Sequence, residues 1–208
     1  MKLTFHQKDA LTELINIGYG RAAGALSELT GYRVTLEVPK ISMHPIEEVG
    51  PILSREITGE VASVNQVFSG PISGNALLLL NERAALALSE LLTDDRSMDR
   101  SFDSGAREII TEVGNILLNA CLGVFGNLLQ VQVTFAVPRL QVENIDGVLR
   151  SITVADEELS YALMIHTRFH LRASNVTGYL IIVLGITSLD RMLSELERWE
   201  NRQTNPGV

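Results

Sequence analysis

The stretch "NIGYGRAAGALSELTGYRVTLEVP", residues 16–39, decides the fold because it recurs as "NILLNACLGVFGNLLQVQVTFAVP", residues 115–138. The two stretches align without a gap at an offset of 99 residues. Farther along, "SGNALLLL" from Ser73 resembles "TGYLIIVL" from Thr177, 104 residues later, and "LSEL" recurs after 105 residues. The chain therefore duplicates a unit of about 100 residues. The growing offset predicts five or six extra residues in the second copy, most simply in a loop.

Both copies show the same order of predicted elements. Each begins with a long helix, continues through the β-branched runs "YRVTLEVP" or "VQVTFAVP" and two further strands, and closes with a helix. The predicted bounds are about 7–29, 58–68, 74–80 and 82–92 in the first copy, and about 103–129, 159–171, 177–184 and 188–199 in the second.

The order α-β-β-β-α, occurring twice, predicts an α+β fold with pseudo-two-fold symmetry. The strands are expected to form one antiparallel sheet flanked by the two long helices, which carry the candidate sites. We expect a single domain over residues 1–208, made of repeats at about 6–95 and 102–200, with residues 201–208 as a flexible tail.

Composition limits the classes of protein that fit the sequence. The chain has 208 residues, of which 46% are hydrophobic, enough for a sizeable core. The formal net charge of -8 argues against affinity gained by phosphate neutralisation, so nucleic acid is not an expected partner. The single cysteine, Cys121, excludes an intramolecular disulfide, fits a reducing compartment and is predicted to be buried.

The sequence shows neither a signal peptide nor a membrane-spanning run, and the location of the protein is predicted from this. The N-terminus "MKLTFHQKDA" lacks the apolar region of a signal peptide. No uninterrupted apolar run approaches the roughly 20 residues that a membrane span needs. We therefore expect a cytoplasmic protein with no membrane association.

The first long helix separates apolar from polar residues. At about 100° per residue, one side gathers the apolar and small residues and is predicted to be buried. Asp9, Glu13 and Asn16 lie at i, i+4 and i+7 on roughly the opposite side. The predicted buried residues are Leu11, Ile15, Gly18, Ala22, Leu26 and Leu29.

The second long helix repeats this arrangement. Glu108, Glu112, Asn115 and Asn119 are predicted to face outward. The residues predicted to face inward are Ile109, Val113, Ile116 and Ala120. Glu112 and Asn115 stand 99 residues after Glu13 and Asn16, so both helices present an acid and an amide one turn apart.

Two readings of the repeated Glu-x-x-Asn pair are open. A single pair of this kind is usually solvated surface, but Asn is a mediocre helix former, and this pair occurs in both copies. In a functional site, the carboxylate can pair with a cation while the amide orients a water through its donor and acceptor. Phosphoryl hydrolysis asks mainly for a positioned in-line water and charge stabilisation, so such a pair needs no nucleophile of its own.

Other constellations point away from metal or phosphate-loop chemistry. A dinuclear metal bundle uses Glu-x-x-His, and here Asn stands in place of His. His166 and His170 share a strand face, but no acid or cysteine has ligand spacing around them. Three glycines, Gly18, Gly20 and Gly24, fall within a helix pattern, so they are expected to permit close helix packing. Asn119 either assists the second pair or is simply solvated.

The spaced residues resemble the CheC/CheX/FliY family of phosphatases. The family signature is Asp or Ser, three residues, Glu, two residues, Asn, 22 residues and Pro. The first copy matches it fully with Asp9, Glu13, Asn16 and Pro39. The second copy has Glu108, Glu112, Asn115 and Pro138, and departs at its first position, where Glu replaces Asp or Ser. The resemblance extends over essentially the whole chain.

The resemblance implies a function in chemotaxis. The substrate would be the aspartyl phosphate of the response regulator CheY, with Glu13 or Glu112 pairing with the regulator's active-site lysine. Asn16 or Asn115 would place the attacking water. Magnesium would be held by CheY, with no cofactor or metal on this chain, and the deamidase CheD would be a second partner. The alternative is a noncatalytic module that binds CheY or CheD, or a component related to the flagellar switch.

Overall fold

The computed structural model describes residues 3–93, 102–128, 130–155, 159–171 and 174–204. Six helices and eight strands are assigned in these ranges. The first half of the chain contains α1 (Phe5–Thr30), β1 (Val34–Leu36), β2 (Lys40–Pro45), α2 (Ile46–Leu53), β3 (Glu60–Ser69), β4 (Gly74–Asn81) and α3 (Glu82–Thr93). The second half contains α4 (Ser104–Leu128), β5 (Thr134–Phe135), β6 (Arg139–Asn144), α5 (Ile145–Ala155), β7 (Leu159–Leu171), β8 (Ser174–Gly185) and α6 (Ile186–Thr204).

All eight strands belong to one antiparallel sheet, which confirms the predicted α+β fold. The order is β1-β7-β8-β4-β3-β5, with β2 also pairing with β7 and β6 with β3. The central pair, β4 and β8, runs in register from Gly74 opposite Leu184 to Leu79 opposite Tyr179. Both faces of these two strands are covered by helices, which explains their nearly continuous apolar sequences.

Each sequence repeat contributes to both halves of the sheet. The first two strands pair with β7 of the second repeat, and α1 packs against α6. In the same way β5 and β6 pair with β3, and α3 packs against α4. The pseudo-two-fold arrangement therefore joins the beginning of one repeat to the end of the other.

The helices form a layer on each face of the sheet. The larger core lies between the sheet and α1, α3, α4 and α6, and a smaller core lies under α2 and α5. Alternate residues of the strands serve the two cores, since successive side chains of a strand point to opposite faces.

Two elements in each repeat differ from the sequence-based prediction. The observed order is α-β-β-α-β-β-α, because each predicted run after the long helix contains one short strand, and a second short strand and a helix, neither predicted, follow it. Pro39 and Pro138 separate the two short strands, as expected for a residue that cannot donate to the ladder. The dipeptide Gly50-Pro51 is typical of a turn and conceals α2 in the sequence.

The bounds of several elements also differ. The helix predicted to end at residue 199 continues to Thr204, so residues 201–204 of the predicted tail are helical, and residues 205–208 lie outside the described ranges. The extra length of the second copy is found mainly in its hairpin and not in a loop. Strands β7 and β8 have 13 and 12 residues, against 10 and 8 in β3 and β4.

The prediction of no membrane association stays a prediction, and α4 bears on it only through its length and composition. Residues 104–127 form a helix that is long and apolar enough to cross one, judged by length and composition alone. Half of that segment is buried within the fold, against the sheet and α1. A core helix packed on two sides needs this apolar composition.

Helices α1 and α4 cross in close contact at Gly18. A Cβ atom at this position would lie 2.9 Å from Cys121 Cα and 3.3 Å from the Ala120 carbonyl oxygen. The prediction that the helical glycines permit close packing is confirmed for Gly18 and is wrong for Gly20 and Gly24, which would meet nothing within 4 Å. Cys121 is fully buried, as predicted, and burial raises the pKa of its thiol.

Gly18→Ala should destabilise the protein, because its methyl group would press on the α4 backbone, which cannot move aside. We expect a loss of about 1–3 kcal/mol in the free energy of unfolding. Gly24→Ala is the matched control on the same helix and should stabilise by about 0.5–1 kcal/mol, since Ala is the better helix former. Urea unfolding measures both. Equal stability of Gly18→Ala and the wild type would contradict the close crossing.

Candidate functional site

The two long helices run antiparallel and carry their signature residues away from each other. Gly18 meets Cys121 near the middle, and Leu29 and Thr30 of α1 share a groove with Ile109 of α4. The C-terminal end of α1 therefore lies beside the N-terminal half of α4.

The antiparallel arrangement separates the two signature asparagines. Asn16 precedes the crossing by two residues, and Asn115 precedes it by six on the oppositely directed helix. At a rise of 1.5 Å per residue, the two asparagines are about 12 Å apart along the helix pair. Glu13 and Glu112 lie farther out in opposite directions, so the structure presents two separate candidate sites.

The first site is exposed as the sequence predicts. Asp9, Glu13 and Asn16 are all exposed on α1. The predicted inward residues of α1 are buried except Leu29, which is 60% exposed because the helix extends past the sheet core at its C-terminal end. The helix is fixed at its start by Thr4, whose Oγ1 accepts from the Gln7 backbone N–H at 3.2 Å.

The second site is turned slightly toward the sheet. Glu108 and Glu112 are exposed, whereas Asn115 and Asn119 are half-buried. Of the predicted inward residues only Val113 is fully buried; Ile109, Ile116 and Ala120 are half-buried. The fully buried side chains of α4 are Ile110, Val113, Leu117, Leu118, Cys121 and Val124.

A chain of amide hydrogen bonds holds Asn115. The Asn119 side chain donates from Nδ2 to Asn115 Oδ1 at 2.7 Å. Gln66 on β3 donates from Nε2 to Asn119 Oδ1 at 3.0 Å and to the Ala136 carbonyl oxygen at 3.0 Å. The sequence analysis named Asn119 but missed Gln66. A signal was available, since Gln66 is the polar residue on a face of β3 whose other core residues are Ala62, Val64 and Phe68.

The signature prolines lie at the strand breaks near the sheet edges. Pro39 is buried between β1 and β2, and Pro138 is half-buried between β5 and β6. Pro138 stands two residues after Ala136, whose carbonyl oxygen accepts from Gln66. The Gln66 side chain therefore ties the Pro138 segment to the flank of α4 that carries Asn115.

The first half ties its helix to the sheet in a different way. Tyr19 OH and Thr167 Oγ1 are 2.5 Å apart in the buried core between α1 and β7. Burial raises the pKa of Tyr19 and keeps the phenol neutral, which suits a hydrogen bond to a hydroxyl. Gly20 stands where α4 has Asn119. The described part of the chain offers Asn16 no side-chain hydrogen-bond partner.

An apolar groove of about 690 Å³ adjoins the second site. Glu108 and Glu112 stand on its border together with Thr30. Its apolar lining comes from Leu29, Leu92, Ile109 and Val113. Glu108, the residue that departs from the signature, therefore faces both solvent and this groove.

The histidines that share a strand face serve local contacts. His170 lies between Glu37, 2.8 Å from its Nε2, and Asn175, 2.6 Å from its Nδ1. The His166 ring lies 5.2 Å from the Tyr179 ring. Within the described ranges, no group of three or more His, Cys, Asp or Glu could hold a metal ion. That the chain needs no metal of its own stays a prediction.

Comparison with known sequences supports the resemblance that the signature suggested. A sequence model of the CheC-like family matches residues 7–43, a stretch that contains the whole first signature. The CheY-P phosphatase CheC of Bacillus subtilis is 25% identical over 146 residues, covering 69% of this chain and 69% of that protein. The flagellar motor switch phosphatase FliY of Bacillus subtilis is 19% identical over 205 residues, covering 97% of this chain. The chain is therefore similar to CheC and FliY proteins.

The chain spans only part of its relative FliY, because the matched region is 52% of the Bacillus subtilis protein. The fold agrees with this relationship. The crystal structure of Thermotoga maritima FliY superposes with a TM-score of 0.77 at 17% identity, covering 96% of this chain and 100% of that one.

Two further solved structures share the fold at low identity. The FliM middle domain of Helicobacter pylori has a TM-score of 0.64 at 14% identity, covering 93% of this chain and 99% of its own. The CheX–CheY complex of Borrelia burgdorferi, with beryllium fluoride and magnesium, gives 0.50 at 15% identity and covers 80% and 96%. These likenesses show a shared fold.

Proposed function

We propose that this protein hydrolyses the aspartyl phosphate of a CheY-type response regulator. The observation that carries the proposal is the Glu and Asn pair, one turn apart, that both long helices carry at their surface, fully exposed on α1 and with Asn115 half-buried on α4. A pair on the surface of a helix suits a substrate that is itself a folded protein with its phosphate near the surface.

Each residue type has a distinct task in this reaction. Asn16 and Asn115 position the attacking water in line with the phosphorus, which gains rate by orientation and needs no shifted pKa. Glu13 and Glu112 pair with a lysine of the regulator and set the docking register. Asp9 and Glu108 support the sites from one turn earlier, and Pro39 and Pro138 shape the adjoining strand breaks.

The similar proteins support this substrate. CheC of Bacillus subtilis is a CheY-P phosphatase, and the Borrelia burgdorferi CheX structure contains CheY with magnesium. By this likeness we expect magnesium on the regulator and none on this chain. CheD as a second partner and a cytoplasmic location are proposed on the family resemblance alone.

A second candidate function is a noncatalytic module that binds CheY or CheD, or a part of the flagellar switch. The specific observation in its favour is the closer structural likeness to FliY and to the FliM middle domain than to CheX. Turnover separates the two functions, since a binding module would engage the regulator without releasing phosphate.

Replacing both signature asparagines should abolish turnover. Asn16→Ala with Asn115→Ala is expected to lower the catalysed rate of phosphate release by about 100-fold, because the water is no longer held in line. Phosphate release from CheY under a continuous phosphodonor measures it. Asn127→Ala is the control, an exposed asparagine on α4 three turns beyond Asn115. Undiminished release by the double variant would refute the mechanism.

The signature glutamates should act on binding. Glu13→Ala with Glu112→Ala is expected to weaken binding of beryllofluoride-activated CheY by about 5- to 20-fold, with a smaller effect at high salt, as for a charge pair in an interface. Calorimetric or fluorescence titration measures the affinity. Glu28→Ala removes an exposed charge on α1 about four turns from Glu13 and should leave the affinity unchanged. Equal affinities for all three proteins would rule out the pairing role.

A further inference from the structure

We propose that Gln66 and Asn119 fix the side chain of Asn115 in one orientation, so that the two signature sites are not equivalent. The side-chain amide of Asn115 has a fixed orientation in the second site, whereas that of Asn16 in the first site does not. The catalytic consequence rests on the proposed function, whereas the fixed orientation of Asn115 is a property of the free protein. Gln66 and Asn119 act here as positioning residues.

The orientation is set from a backbone carbonyl outward. A carbonyl oxygen can only accept, so the Gln66 group facing Ala136 must be its NH2. The same Nε2 contacts Asn119, which must therefore present its oxygen to Gln66 and its Nδ2 to Asn115. Each amide in the chain is thus determined by the one before it. Turning Gln66 over would place its oxygen against two other oxygens.

Because Gln66 is buried, rotating its side-chain amide out of this orientation is energetically unfavourable. Gln66 is 2% exposed on β3, and its Oε1 has no partner among the described residues. Leaving a buried polar atom unpaired is unfavourable, and the fold tolerates it here while Nε2 keeps two partners. A side chain whose own conformation is fixed by packing is the kind that can fix the next one.

Asn115 is left with defined hydrogen-bonding capacity toward solvent. Its Oδ1 accepts from Asn119 and retains one lone pair, and both hydrogens on its Nδ2 stay free. The amide can then accept a hydrogen from the attacking water through Oδ1 and donate to a phosphoryl oxygen through Nδ2.

The first site has no counterpart of the positioning side chains of Gln66 and Asn119. Gly20 replaces Asn119 and offers no side chain. Thr167 on β7 is the equivalent of Gln66 on β3, since each lies two residues before a phenylalanine that pairs with the short edge strand. Its hydroxyl is hydrogen-bonded to Tyr19 in the core. Asn16 is exposed on its helix. The two signatures share their sequence but differ in what supports the asparagine.

Nuclear magnetic resonance of the side-chain amides tests the orientation without any substrate. The Asn16 and Asn115 signals are assigned by their loss in the two alanine variants. The order parameter of the Asn115 NH2 should approach that of rigid backbone, about 0.85, and that of Asn16 should fall below about 0.6. Asn119→Asp keeps its shape and still accepts from Gln66 but cannot donate, so it should free Asn115. Equal order parameters for both asparagines in the wild type would overturn the proposal.

Phosphate release tests the catalytic consequence with only the second site active. In the Asn16→Ala background, Asn119→Asp should lower kcat by about tenfold while KM changes less than about twofold, because positioning is lost and docking is kept. Gln66→Met should act in the same direction, since it removes the anchor and keeps the buried volume. Asn127→Asp adds the same charge elsewhere on α4 and should leave kcat unchanged.

The outcomes separate this inference from the proposed function. A rigid Asn115 with an unchanged kcat in Asn119→Asp would refute the positioning role. A loss of kcat that follows only a loss of folded protein, measured by thermal unfolding, would also refute it. Absence of phosphate release from the wild type would refute the proposed function instead, and the order parameters alone would then decide whether Asn115 is held.

Discussion

The close antiparallel crossing of α1 and α4 is the constraint on which the arrangement of the sites depends. Gly18 lets the α4 backbone at Cys121 approach within the space that a methyl group would fill. Because the helices run in opposite directions through this point, residues before it on one helix lie beside residues after it on the other. The two signatures are therefore carried apart, and each faces a different part of the surface. One regulator bound at one site need not contact the other site.

The two halves of the duplicated chain join their long helix to the sheet through different contacts. In each half a long helix must be tied to the sheet beneath it through a polar residue at the same place in the sheet, Thr167 in one and Gln66 in the other. Thr167 bonds to Tyr19 within the core, which stabilises the helix and leaves its outer face alone. Gln66 reaches past the core to Asn119 on the flank of α4. The same structural link therefore extends to the candidate site in only one half.

The fold and the outline of the sites were predictable from sequence because their signals are local or periodic. The repeat identified the symmetry, and the helical spacing placed Glu13 and Asn16 on the exposed face. What could not be predicted depends on contacts between distant residues. Strand pairing joins β1 to β7 across repeats, and no local pattern encodes that choice. Gln66 is a polar residue on a mostly apolar face of β3, and its role is visible only from its contact with Asn119 on α4.

The difference in support between the asparagines has an energetic consequence for a site that works by positioning. Immobilising a free side chain on binding costs about 0.5–1.5 kcal/mol, which corresponds to a factor of about two to ten in the population of productive complexes. At the second site this cost is met when the protein folds, through three hydrogen bonds that end on a backbone carbonyl. At the first site it is met at each encounter. An amide that orients water increases the rate through geometry and not through charge. A two- to tenfold change in the population of productive complexes is therefore a large share of its contribution to the rate. Under the proposed function, two copies of one signature can therefore differ in rate although both carry the same Glu and Asn.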